Sequence, residues 1–139
     1  MSQSQRLSLS LFLLRLGVFV VMFMWTIDKF VNPKHASLVF QKFYLFDGLS
    51  HELAYAVGGL QIVLVLGFLA GAYKKWTYGL IMILHTVSTL STWQMYLDPW
   101  APRNLLFFAA WPMLAATIAL FLLRDDDTLL SFHKPEKRH

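Results

Sequence analysis

Apolar residues dominate four stretches of the chain, roughly 7–27, 53–73, 76–97 and 105–123, and polar or helix-breaking residues gather between them. Each stretch has about 20 residues, enough for a helix rising 1.5 Å per residue to cross about 30 Å of hydrocarbon. In lipid such a segment must be helical, because a lone strand leaves its backbone N–H and C=O groups without partners. The pattern predicts an all-α fold: an integral membrane four-transmembrane-helix bundle, one domain over 1–139 with a polar tail at 124–139. The punctuation agrees. "VNPKHAS" ends the first span with a proline, "GAYKKWTYG" is a tight basic turn, and "LDPWAPRN" breaks the third with two prolines. Only the connection over 28–52 is long, and its aromatic, amphipathic "LVFQKFYLF" (38–46) predicts a short interfacial helix in the first outer loop.

Composition sharpens this picture. Hydrophobic residues make up 57% of the chain and charged residues 14%, too little charge for an ordinary soluble domain of 139 residues. An even number of spans places both termini on one side with the Lys74–Lys75 turn. That side holds Arg6, Lys74, Lys75, Arg124, Lys134, Lys137 and Arg138, against Lys29, Lys34, Lys42 and Arg103 opposite. The positive-inside rule then makes both termini cytoplasmic and the protein a multi-pass component of the cell (inner) membrane. The net charge of +4 is spread over helix ends, a topology signal and not a nucleic-acid surface. The first apolar run is longer than a signal-peptide core and lacks a small-residue exit, so it is expected to remain as a helix. Trp25, Trp76, Trp93, Trp100 and Trp111 fall mostly near span ends, as interfacial anchors do. Gly58, Gly59, Gly67 and Gly71 thin the second span for packing against a neighbour or a second copy.

Candidate chemistry lies where lipid disfavours it. Arg15 sits about eight residues inside the first span, His85 about nine inside the third from the same side, and Gln61 about nine inside the second from the other side. All three are expected near the midplane. A charge there costs about 2.5–3.5 kcal/mol on insertion scales, so it should face the bundle interior or snorkel to the headgroups. The expectation is an inward Arg15 bonded to Gln61, His85 or a ligand oxygen. His85, Ser88, Thr89, Thr92 and Tyr96 recur at i, i+3, i+4, i+7 and i+11 and share one helix face. With Arg15 and Gln61 they form the predicted ligand-binding set. Asp28, Lys29, Glu52, Asp98, Trp100 and Arg103 are placed at the outer mouth. Plain interhelical hydrogen bonding would use the same stripe.

Several classes drop out. The absence of cysteine removes disulfide exchange, thiolate-bound metals and iron–sulfur clusters. Paired histidine ligation of haem needs two intramembrane histidines, and only His85 qualifies. His35, His51 and Glu52 match no metal-ligand spacing, so no metal site is expected. No phosphate loop, nucleophile elbow or paired catalytic carboxylate occurs in the spans, and no constellation specifies bond-breaking chemistry. The tail "RDDDTLLSFHKPEKRH" reads as a cytoplasmic end: an acidic triplet, a short amphipathic turn resting on the headgroups, then solvated basic residues.

The stretch "RLGVFVVMFMWTIDKFVNP" resembles the DoxX-like membrane proteins, through Arg15, Gly17, Lys29 and Phe30. The glycine-rich "AYAVGGLQIVLVLGFLAG" and the four-span plan are similar too. The resemblance implies a four-helix bundle related to thiosulfate:quinone oxidoreductase subunits, to membrane partners of redox enzymes, or to assembly factors.

Three functions follow as expectations. The first is a redox-linked subunit whose mid-membrane polar pocket holds a quinone or small anion, with Arg15, Gln61 and His85 as donors and aromatic walls. The second is a non-catalytic assembly factor or membrane anchor for a partner protein, which would dock on the outer loop. The third is a small transporter, which would need to form a homo-oligomer to enclose a path.

Overall fold

The computed structural model describes residues 1–45, 47–48 and 50–132, and among these there are helices and no strands. The helices are α1 (Gln3–Val31), α2 (Pro33–Tyr44), α3 (His51–Leu69), α4 (Lys74–Ser91), the short α5 (Trp93–Leu97) and α6 (Ala110–Leu122). A 3-10 turn over Asn104–Ala109 feeds directly into α6. Local chemistry sets the ends. Ser2 caps α1 in a reciprocal box with Gln5, at 2.8 and 3.3 Å. Asn32 ends α1 through its N–H on the Asp28 carbonyl and starts α2 by accepting from the His35 N–H, with Pro33 in the first turn. Ser50 caps α3.

Helices α1, α3, α4 and α6 close into a ring in that order, each packing on the next and α6 returning to α1, while α2 lies across α1, α3 and α4. The core joins Leu11, Val18 and Met22 of α1, Val65 and Phe68 of α3, Tyr78 and Ile81 of α4, and Leu120 of α6. Outward faces are equally apolar: Leu13, Val20, Leu60, Val63, Ile83, Leu90 and Leu122 are all exposed. Apolar area on that scale belongs against lipid. Among the described residues three runs are long and apolar enough to cross a bilayer: α1, α3 and the continuous Asn104–Leu122. The architecture is that of a helical membrane protein.

The elements depart from expectation in instructive places. Helix α1 runs four residues further at each end than the apolar stretch, because capping and helix propensity continue where hydropathy stops. The third stretch breaks at Thr92, between α4 and α5. The amphipathic helix starts at Pro33 and ends at Tyr44, where Leu45 turns left-handed (φ 53°); Phe46, the last residue of the expected helix, lies outside the described residues.

Helix α4 is apolar outside and polar inside. Leu80, Ile83, Val87 and Leu90 face outward, whereas Lys74, Tyr78, His85 and Thr89 are buried. Its mean hydropathy is lowered by Lys74 and Lys75 in its first turn and by the buried His85 and Thr89, so α4 is less apolar than the other three runs.

Candidate functional site

The buried polar groups of α4 divide into two sites. The first lies at the end of the bundle where the α3–α4 turn meets residues 124–132, which fold back as a strap. Arg15 is fully buried there. Its Nη1 donates to the Tyr78 hydroxyl at 3.2 Å, and its Nη2 to the carbonyls of Leu129 at 2.5 Å and Leu130 at 3.1 Å. Asp127, also fully buried, places Oδ2 3.4 Å from Arg15 Nη1 and accepts the Tyr78 hydroxyl at 2.6 Å. Lys74 donates to the carbonyls of Asp127 and, at 3.1 Å, Arg124.

The strap is tied along its length. Ser8 bonds the Thr128 hydroxyl at 3.1 Å, the Phe132 N–H donates to the Ala70 carbonyl at 3.0 Å, and Ser131 Oγ donates to the Gly71 carbonyl at 3.3 Å. Gly71 is required at this seam. Its φ is +64°, and a Cβ there would stand 2.5 Å from Arg15 Nη1 and 2.6 Å from Ser131 Oγ. Two polar atoms in the cluster find no hydrogen-bond partner, Arg15 Nε and Asp127 Oδ1. The guanidinium and carboxylate therefore meet through one oxygen, not in the bidentate fork both could form.

The second site is built around His85. Its Nε2 pairs with the Ala110 carbonyl at 2.9 Å, and its ring lies 6.1 Å from that of Trp25, while Nδ1 is buried without a partner. Thr89 returns its hydroxyl to the His85 carbonyl at 2.8 Å. Ser88 bonds the Tyr44 hydroxyl at 2.7 Å, tying α4 to α2. Thr92 Oγ1 lies 2.9 Å from the Tyr96 hydroxyl, which donates to the Thr89 carbonyl at 2.9 Å. Tyr96 packs against Phe108 and Trp111.

The structure thus keeps Arg15 and His85 apart. Arg15 bonds at the level of Tyr78, whereas His85 lies level with Trp25, ten positions further along α1 and about 15 Å away at the rise of a helix. Gln61 is half-buried on α3 and joins neither set of hydrogen bonds described above. The expected three-way meeting at one depth is replaced by an ion-pair cluster at the strap and a histidine site deeper in the bundle. The reason is the Arg15 side chain, which points inward yet reaches toward the strap, where carbonyls and a carboxylate await it.

At the opposite end the expected mouth residues are dispersed. Asp28 pairs with His35 at 2.6 Å within the α1–α2 corner. Lys29 is largely buried and bonds the Trp25 carbonyl at 3.2 Å. Glu52 is exposed in the first turn of α3, where a carboxylate suits the helix dipole. The Asp98 carbonyl accepts from Asn104, Trp100 is exposed, and Arg103 takes a left-handed turn at φ 71°. An open depression of about 340 Å³ lies nearby, lined by Lys34, Ser37, Leu38 and His51. Among the described residues no group of three acidic, histidine or cysteine side chains could hold a metal.

A family model described as methylamine utilisation protein MauE matches residues 7–104. The chain belongs to the MauE family. This is a family of membrane proteins related to the DoxX-like superfamily, not the DoxX proteins themselves. No curated protein and no solved structure matches the chain. The MauE match spans Arg15, Lys74, Tyr78 and His85 and stops before α6 and the strap, so Asp127 completes the cluster from outside the matched region.

Sequence reasoning did not select Tyr78, Lys74 or Asp127. The acidic triplet read only as part of a polar cytoplasmic end, and Asp127 is fully buried. A signal was present. Tyr78 extends the stripe seven residues before His85, and a buried guanidinium calls for an anion, which the acidic run 125–127 just after the last span supplies.

Proposed function

We propose that this protein is a multi-pass inner-membrane accessory subunit that assembles or anchors a partner of a methylamine-utilising system, and is not itself the catalyst. The observation that carries this reading is that the interior polar residues are largely used in closing the bundle. Arg15, Tyr78 and Asp127 hold the strap, Ser88 holds α2, and Thr92 with Tyr96 holds the α4–α5 corner. The family's description as a methylamine utilisation protein supports the link to methylamine use. In this reading α4 is also a span, third in chain order and bringing the total to four, since its outward residues Leu80, Ile83, Val87 and Leu90 form a lipid-ready face. Both termini are cytoplasmic by the distribution of Lys and Arg. The partner meets α2 at the outer surface, where Leu38 is exposed beside the depression lined by Lys34 and His51.

Native mass spectrometry of the detergent-purified protein tests this. A stoichiometric protein partner whose cross-link maps to Leu38 supports the reading. Protein that carries no partner but retains a quinone overturns it.

One observation favours a second reading, the redox-linked subunit that holds a quinone or small anion. Among the described residues His85 Nδ1 is buried and unpaired beside the Trp25 ring; because Nε2 donates to the Ala110 carbonyl, neutral Nδ1 is an acceptor, which suits one hydroxyl of a quinol against an aromatic wall. A quinone–quinol pair there would supply two-electron redox chemistry, and His85 would orient the quinol by accepting its hydroxyl at Nδ1, where it could take that proton. Ser88, Thr89, Thr92 and Tyr96 would line the approach. Arg15 and Gln61 would not take part. Loss of retained quinone on His85→Ala would support this reading, whereas unchanged binding would remove it.

A further inference from the structure

We propose that Arg15, Lys74 and Tyr78 form an oxyanion site that the chain's own Asp127 occupies, so that residues 124–132 are a strap displaceable by an anionic headgroup. Three donors converge on this place from two helices: the guanidinium of α1, and the ammonium and phenol of α4. What they hold is one carboxylate and four main-chain carbonyls, all from the strap. Oxyanion recognition by Arg, Lys and Tyr is the same chemistry whether the oxygens belong to a carboxylate or a phosphate.

The fit of Asp127 is incomplete. Arg15 Nε and Asp127 Oδ1 are both buried and unpaired, so this occupant leaves one donor and one acceptor unused. A tetrahedral phosphate has the extra oxygen that Nε lacks. Access also exists. A depression of about 290 Å³ lined by Met1, Gln5, Ser8, Leu9 and Leu129 runs along the strap edge, and the Leu129 carbonyl is one of those covering Arg15. Its apolar residues suit an acyl chain and its inner edge is one residue from the guanidinium. An anionic phospholipid meets both requirements together. The strap has few apolar anchors to oppose release: Leu130 is held left-handed at φ 48° and, like Phe132, points largely to the outside. The inference rests on membrane embedding and on the cluster, not on which partner the protein serves.

The test uses the full chain in nanodiscs of dioleoyl phosphatidylcholine with or without phosphatidylglycerol. Native mass spectrometry should show Asp127→Asn retaining phosphatidylglycerol over phosphatidylcholine about tenfold more than wild type, the worth of one charge-assisted hydrogen bond. Adding Arg15→Gln should abolish that gain. Competition by inorganic phosphate supports the same cage with a free oxyanion as its ligand, and indifference to phosphate supports the lipid. Equal retention by folded Asp127→Asn and wild type overturns the proposal. Wild type gives an answer even if that variant does not fold. Hydrogen exchange over residues 129–132 should quicken several-fold when phosphatidylglycerol replaces phosphatidylcholine, and unchanged protection overturns the strap's displacement.

Discussion

Replacing Arg15 with methionine isolates what the ion-pair cluster contributes. Methionine keeps the stem's apolar length while removing every donor. Asp127 is fully buried, so its carboxylate would be left with the Tyr78 hydroxyl and the nearby Lys74 ammonium, and the carbonyls of Leu129 and Leu130 would lose the donor they share. Breaking a buried pair from one side costs about 3–5 kcal/mol. Lys74 offsets part of this, which places the expected loss near the lower figure. Pairing it with Asp127→Leu should recover much of the damage, because an apolar replacement of both partners strands no charge. A coupling of about 1–3 kcal/mol between the two positions is expected. The measurement is reversible unfolding in mixed micelles, followed by helical circular dichroism, for wild type, both single variants and the double. A loss within about 0.5 kcal/mol for Arg15→Met, the size of an ordinary surface change, would refute the structural role given to the cluster.

Further outcomes follow from the same geometry. Tyr78→Phe removes the 2.6 Å bond to Asp127 and should cost about 1–3 kcal/mol in the same titration, and adding Arg15→Met should deepen the loss, because the buried carboxylate then loses both partners. Gly71→Ala must hold an L side chain at φ +64° against Arg15 and Ser131, a strain of about 2 kcal/mol that should also raise hydrogen exchange across the strap. Gly58→Ala would bring a Cβ to 2.8 Å from the Phe30 ring; that ring is half-exposed and can turn aside, so a modest loss of about 1 kcal/mol should vanish in a Phe30→Ala background. Asp28→Asn breaks an exposed pair with His35, and the melting curve should shift by less than about 1 kcal/mol in equivalent stability.

How legible was this protein in its residues? The apolar runs located α1, α3 and α6 to within a few positions, because the bilayer-length requirement acts on each helix separately. The proline at 33 and the glycine at 71 likewise marked real corners, since φ restrictions are local. The helical period also put His85 and Thr89 on one buried face of α4. Tertiary structure decided which polar groups meet. Counting residues from span ends set Arg15 and His85 at one depth, but a long side chain can bond well away from its own Cα. Arg15 does so toward a strap that begins more than a hundred residues later in the chain. Asp127 shows the same limit. Nothing local distinguishes it from Asp125 and Asp126, and only the fold-back of residues 124–132 buries one carboxylate of the three beside a guanidinium. Lipid chemistry is written into each span alone, whereas charge neutralisation is a property of segments brought together, and so it emerges only once the ring has closed.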